Sequence, residues 1–204
     1  AGILACPARN TRPPPRVPDP VRIADQAAKY EQLGFDLNGL DLPVGDGLLV
    51  MPHRLVPVAE LIVRLTLPGA TKPGLFDVNF EDPDLYRPAH DNVPDVPYLV
   101  SGFEPGLQYR NLAPRDAVAI VQSRGRWPAT MEEGLAAFVQ DPAVLQRNAC
   151  YSLAGSTRGD KRVPALWISR GAPKLGWCFA GAPHTWLGLA SVASRSSGGI
   201  VRHG

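Results

Sequence analysis

Cys178, His184 and Asp160 lie close together in the last quarter of the chain. A cysteine attacks as its thiolate, so it needs a base within reach and a group to orient that base. Five residues separate Cys178 from His184 across what reads as one loop, and Asp160 supplies a carboxylate able to hold the imidazole. This trio points to a Cys/His-dependent group-transfer or hydrolytic enzyme. The same cysteine, buried in a strand, would instead be an inert small hydrophobe. Spacing alone leaves both readings open. A metal centre is not indicated, because adding the distant Cys150 still gives too few ligands at no zinc spacing. Phosphate loops and glycine-rich dinucleotide fingerprints are absent, so no cofactor is expected.

The stretch around the trio carries Trp167, Trp177 and Trp186, three of the four tryptophans of the chain, among Arg158, Arg162, Arg170 and Lys174. Strand alternation puts Val163, Ala165 and Trp167 on one face, and Leu175, Trp177 and Phe179 on one face of the next strand, with Cys178 opposite. If these faces meet they form an aromatic wall. Such a wall is either hydrophobic core, the usual use of tryptophan, or the side of a pocket with basic residues at its rim. The pocket reading makes Arg158, Arg162, Trp167, Trp177 and Trp186 the ligand-binding residues, and the ligand an anionic small molecule or a peptide. Basic and aromatic residues interleaved on strands also suit single-stranded nucleic acid. No recognition helix, zinc finger or ribonucleoprotein motif accompanies them, so nucleic acid ranks lower.

The elements that must position these residues are legible to different degrees. Asp19-Pro20 starts a helix that stops at Gly34. Residues 48–51 read as a buried strand, 56–67 as either helix or strand, 75–80 as a short strand and 82–96 as an acidic, proline-broken loop. A further strand covers 98–103. Helices follow over 114–124 and from Thr130, where Thr130 and Glu133 form a capping box. Three strands, 150–154, 163–169 and 175–180, are joined by short polar turns, which makes antiparallel pairing the natural choice. These elements give an α+β fold: an antiparallel sheet with a few packed helices in a single domain, residues 21–193.

Two flanks fall outside that domain. Residues 1–20 hold six prolines, too many for a helix, and read as an extended or disordered arm able to recruit a protein partner. Residues 194–204 begin Ser-Arg-Ser-Ser-Gly-Gly and read as a flexible tail. With both flanks ordered by neighbouring chains, the protein would be a structural subunit of a larger assembly.

Glycine and proline are frequent, at 20 and 22 of 204 residues, while 45% of residues are hydrophobic. That balance excludes collagen, a coiled coil and full disorder. No apolar run is long enough to span a membrane. The net charge of +2 hides a division: eight basic residues and one acid from Arg147 onward give +7, leaving −5 for the rest. Three cysteines without metal or disulfide spacing suit a reducing cytoplasm.

The sequence Arg162-Val163-Pro164-Ala165-Leu166-Trp167, with Pro173-Lys174-Leu175-Gly176-Trp177-Cys178 and Pro183-His184-Thr185-Trp186-Leu187-Gly188, resembles a family known only as a domain of unknown function. Its members are uncharacterised bacterial proteins of about this size. Weaker similarity runs back through Glu132-Glu133-Gly134 and Tyr98-Leu99-Val100 to the helix ending at Gly34. The arm, 1–20, departs from the pattern. The resemblance implies no activity, substrate or cofactor. The residues themselves favour a cytoplasmic binding or accessory protein working through its aromatic and basic C-terminal sheet.

Overall fold

Helix α1, Ile23–Gln32, turns Ala27 and Tyr30 into the core. It stops before Gly34, whose φ of 85° suits a residue without a side chain. The structure is a computed structural model and describes residues 22–198, so Asp19, Pro20 and the whole proline-rich segment lie outside the described residues.

Strand β1 is Leu48–Val50, and α2, Val58–Ile62, settles the ambiguous 56–67 segment as a short helix. Strand β2 is only Leu75–Phe76. It ends early because the Asp77 carboxylate accepts from the Asn79 N–H at 3.1 Å and turns the chain. The acidic loop contains β3, Arg87–Pro88, before β4, Tyr98–Ser101. Helix α3, Pro114–Ser123, leads to β5, Trp127–Pro128, and to α4, Met131–Gln140, where the expected Thr130–Glu133 capping box is present. Strands β6, Cys150–Ser152, and β7, Ser156–Thr157, precede the two longest strands, β8, Arg162–Ser169, and β9, Ala172–Phe179. The described residues end with β10, Leu187–Leu189, β11, Ser191–Val192, and β12, Ser194–Ser196.

The main sheet has the order β10-β6-β8-β9-β2. Its centre, β6-β8-β9, is antiparallel, while β10 and β2 add in parallel at the two edges. A second sheet, β1-β4-β12, is antiparallel throughout. Helix α4 is buried along almost its whole length. Its Gly134 carbonyl accepts from the Tyr151 hydroxyl at 3.0 Å, and a Cβ at Gly134 would overlap the Leu153 side chain. Tyr98, Leu135, Phe138, Tyr151 and Leu166 belong to one continuous core. The fold is α+β in a single domain.

Two expectations need correction. The first concerns register. β8 and β9 are joined by the two-residue turn Arg170-Gly171, with φ of 52° and 78°, the signature of a type I′ hairpin. That turn sets Trp167 opposite Lys174, Ala165 opposite Gly176 and Val163 opposite Cys178. Directly opposed residues share a face, so Trp167 lies on the Cys178 face. Trp177 and Phe179 point to the other face with Arg162. The two aromatic sets stand back to back, not as one wall.

The second concerns the tail. Ser194–Ser196 pairs with β4, and the Arg195 side chain is buried. Its guanidinium donates from Nε to Glu133 Oε1 at 2.6 Å and from Nη2 to Oε2 at 2.9 Å. Glu133 also accepts from the Thr130 N–H and the Tyr98 hydroxyl. Arg195 further donates to the Pro128 carbonyl and to Asn92. A buried carboxylate needs such a partner, which is why the chain orders beyond Ala193.

Candidate functional site

The face of β8-β9 that carries Trp167 also carries Gly176, Lys174 and Cys178. Gly176 is needed there: a Cβ would overlap the Trp167 ring and come 2.8 Å from Asp77 Cβ. The missing side chain lets the indole lie down along the sheet. The loop from β9 to β10 then curls over this floor with His184 and Trp186. Trp186 meets Trp167 edge to face with centroids 6.0 Å apart, and His184 meets Trp186 at 5.6 Å.

Backbone hydrogen bonds hold that loop at several points. The Ala180 N–H donates to the Lys161 carbonyl, and Arg115 and Asn111 donate to the carbonyls of Ala180 and His184. Cys150 donates to the Trp186 carbonyl. Further along, Gly106 has a φ of 67°, and a Cβ on it would overlap the Leu189 carbonyl, so the chain passes backbone against backbone beside β10. These restraints leave a cavity of about 310 Å³ lined by Asp77, Trp167, Cys178, His184 and Trp186, with Trp177 and Phe179 at its border. The volume lies at the small end of ligand pockets.

The polar groups of the cavity differ in state. Lys174 Nζ donates to Asp77 Oδ2 at 2.9 Å, and this hydrogen bond holds the Asp77 carboxyl below its ordinary pKa. The same ammonium stands 5.8 Å from the centre of the Trp167 ring. Burial pushes the Cys178 thiol up to about 12, so it stays protonated at neutral pH. Burial lowers the His184 pKa, which favours the neutral imidazole, and its buried Nε2 has no hydrogen-bond partner.

Cys178, His184, Trp167, Trp177 and Trp186 thus border one cavity. No hydrogen bond joins the thiol to the imidazole, whose Nε2 is unpartnered. Asp160 does not orient His184: its carboxylate faces Arg158 Nε at 3.2 Å and Arg162 Nε at 3.6 Å. Both arginines also pair with Glu81, at 2.9 and 3.4 Å. Arg162 lies 5.2 Å from the Trp177 ring centre, on the opposite face of the sheet from Trp167. The expected basic rim is therefore a self-neutralised ion-pair network, with neither arginine lining the cavity. The cause is alternation within β8: Arg162 and Trp167 stand five residues apart on one strand and so point to opposite sides.

Sequence reasoning missed Asp77. Its signal lies outside the aromatic stretch, in a short strand whose parallel pairing with β9 brings it beside Gly176. Only the pairing, not the local pattern, reveals that position.

Among the described residues, no helix is long and apolar enough to cross a membrane, and no cluster of three or more histidines, cysteines or acids could hold a metal ion. Comparison with the curated proteins and with the solved structures finds no match to the chain. A family model does match, over residues 19–198, which takes in the cavity, the two larger sheets and the four α-helices of the described residues. The chain belongs to the family of unknown function DUF5701.

Proposed function

We propose that this is a non-catalytic cytoplasmic binding or accessory protein that takes a small molecule, or one side chain of a peptide, into the tryptophan-bordered cavity. The observation that carries this reading is the open volume itself. About 310 Å³ lies free in a concavity half open to the surface and lined by Trp167, Trp177, Trp186 and His184, the size at which ligand pockets begin. An anionic ligand is a weaker form of the proposal, since Arg158 and Arg162 are already paired with Glu81 and Asp160. The Cys/His enzyme is weaker still: with the thiol at about 12, only roughly one molecule in 10⁵ carries a thiolate at pH 7. Free, buried Cys150 and Cys178 accord with a reducing compartment.

Native mass spectrometry of the full chain purified from its host tests the reading. A small-molecule or peptide adduct on the wild type, lost in Trp186→Ala with unchanged circular dichroism, is the expected outcome. An adduct that survives Trp186→Ala, or an unliganded wild type whose tryptophan emission no host extract alters, would sink it.

A further inference from the structure

We infer that the ligand is a neutral, planar heteroaromatic ring with an N–H beside a C=O on one edge, lying against the Trp167 and Trp186 indoles and pairing with Asp77 and Lys174. This rests on the binding reading above and names the class of molecule bound.

Charge excludes the alternatives first. The cavity contains one carboxylate, and that carboxylate already has the Lys174 ammonium 2.9 Å away. Its thiol is protonated and its imidazole favours the neutral form. Outside the cavity, Arg158, Arg162, Glu81 and Asp160 pair with one another, and Arg115, beside Gly181, pairs with Asp116. A charged ligand entering here would lose water without gaining a free counter-charge, which is unfavourable. A neutral one does not meet that cost.

Shape and polarity then narrow the class. Two indoles in edge-to-face contact present flat apolar surface, and flat rings match it by stacking or by edge contact. A volume of about 310 Å³ suits a molecule of one or two rings. Asp77 Oδ2 accepts from Lys174 and Oδ1 accepts from the Asn79 N–H. Each carboxylate oxygen keeps a second lone pair, and the ammonium keeps two further N–H groups. An acceptor on the cavity wall, Asp77, and a donor beside that wall, Lys174, therefore stand 2.9 Å apart. A ring edge with adjacent N–H and C=O satisfies both at once. His184 also lines the cavity, but its Nε2 is buried and not accessible from the open volume, so it adds no polar point there.

The test uses the full chain, with tryptophan fluorescence and calorimetry against hypoxanthine, caffeine, indole and benzoate. Hypoxanthine carries the N–H/C=O edge, caffeine is a fused-ring relative without a ring N–H, indole is apolar and flat, and benzoate is anionic. Saturable binding of hypoxanthine, about ten-fold tighter than caffeine or indole, is expected, with benzoate weakest. Asp77→Asn should weaken hypoxanthine by about ten-fold and leave indole unchanged. The inference is overturned if caffeine, indole or benzoate binds as well as hypoxanthine, or if Asp77→Asn has no effect on it. Indole binding that Trp186→Ala abolishes, without preference for hypoxanthine, overturns the ligand class alone and leaves the binding cavity standing. Absence of binding by all four probes, together with no adduct on the protein from its host, overturns both.

Discussion

Two carboxylate–cation pairs in this molecule have the same chemistry and different surroundings. Glu133 and Arg195 leave 0% and 2% of their side chains accessible, and neighbouring donors and acceptors occupy their polar atoms. Asp77 and Lys174, at 25% and 16%, keep spare lone pairs and N–H groups beside an open volume. The first pair fastens the last strand to the fourth helix and has nothing left to offer a ligand. The second stands at the edge of the main sheet with capacity in hand. Saturation, more than charge, separates the structural polar group from the one available for recognition.

If that distinction holds, the two pairs must respond differently to loss of one partner. Arg195→Ala leaves Glu133 buried without its cation, and such a break costs about 3–5 kcal/mol. Urea unfolding followed by circular dichroism should show this as the largest loss among the substitutions considered. A variant as stable as wild type would mean that Ser194–Ser196 detaches readily, and the contrast between the two pairs would collapse.

Gly176→Ala sharpens the cavity side of the contrast. The added methyl overlaps the Trp167 ring and crowds Asp77, so the indole must lift from the sheet. Overpacking of this kind costs about 1–3 kcal/mol. Near-ultraviolet circular dichroism should change with the displaced tryptophan, and adduct formation should be lost. An unchanged tryptophan signature would remove Trp167 from the cavity floor.

Asp77→Asn comes next, at less than about 1 kcal/mol, because a partly exposed pair contributes little to stability. Its expected effect is on binding, not on the urea midpoint. A loss as large as that of Arg195→Ala would show that Asp77 and Lys174 fasten the sheet edge as Arg195 fastens its strand.

How far these features were legible in the sequence follows from the range of the interactions behind them. The Thr130–Glu133 capping box is local, spanning three residues, and was readable as a pattern. Its continuation to Arg195 was not, because a Ser-Arg-Ser-Ser-Gly-Gly stretch has tail composition and its partner lies 62 residues away. The strands of the β8–β9 hairpin were readable, with their antiparallel sense, but not their register. A turn with arginine at a position of φ 52° is not announced by composition, and one residue of register decides which face every side chain takes. That ambiguity accounts for the continuous wall, while the basic rim fails because Arg162 alternates away from Trp167 within β8 and both arginines pair with Glu81 and Asp160. Trp167, Trp177, Trp186, Cys178 and His184 were found because their types are rare and clustered. Asp77 was hidden by its ordinary surroundings, at the end of a short strand that carries no other sign of chemistry.

The smallest expected effect concerns His184 and pH. Burial lowers the His184 pKa from 6.5, so below that value the unfolded chain binds a proton that the folded chain resists. Stability contributed by this group is complete above pH 6.5 and is lost as pH falls toward the folded-state value. His90, lowered by burial and by Arg195, adds in the same direction. Glu132, raised by burial, acts in the opposite sense. Both are common to wild type and to His184→Asn, so the difference between those proteins isolates one imidazole. Urea midpoints measured from pH 7 to 5 should therefore fall less steeply in His184→Asn than in wild type. Equal slopes would mean that water already solvates the imidazole in the folded protein. His184 would then belong with the saturated groups, and the contrast would rest on Asp77 and Lys174 alone.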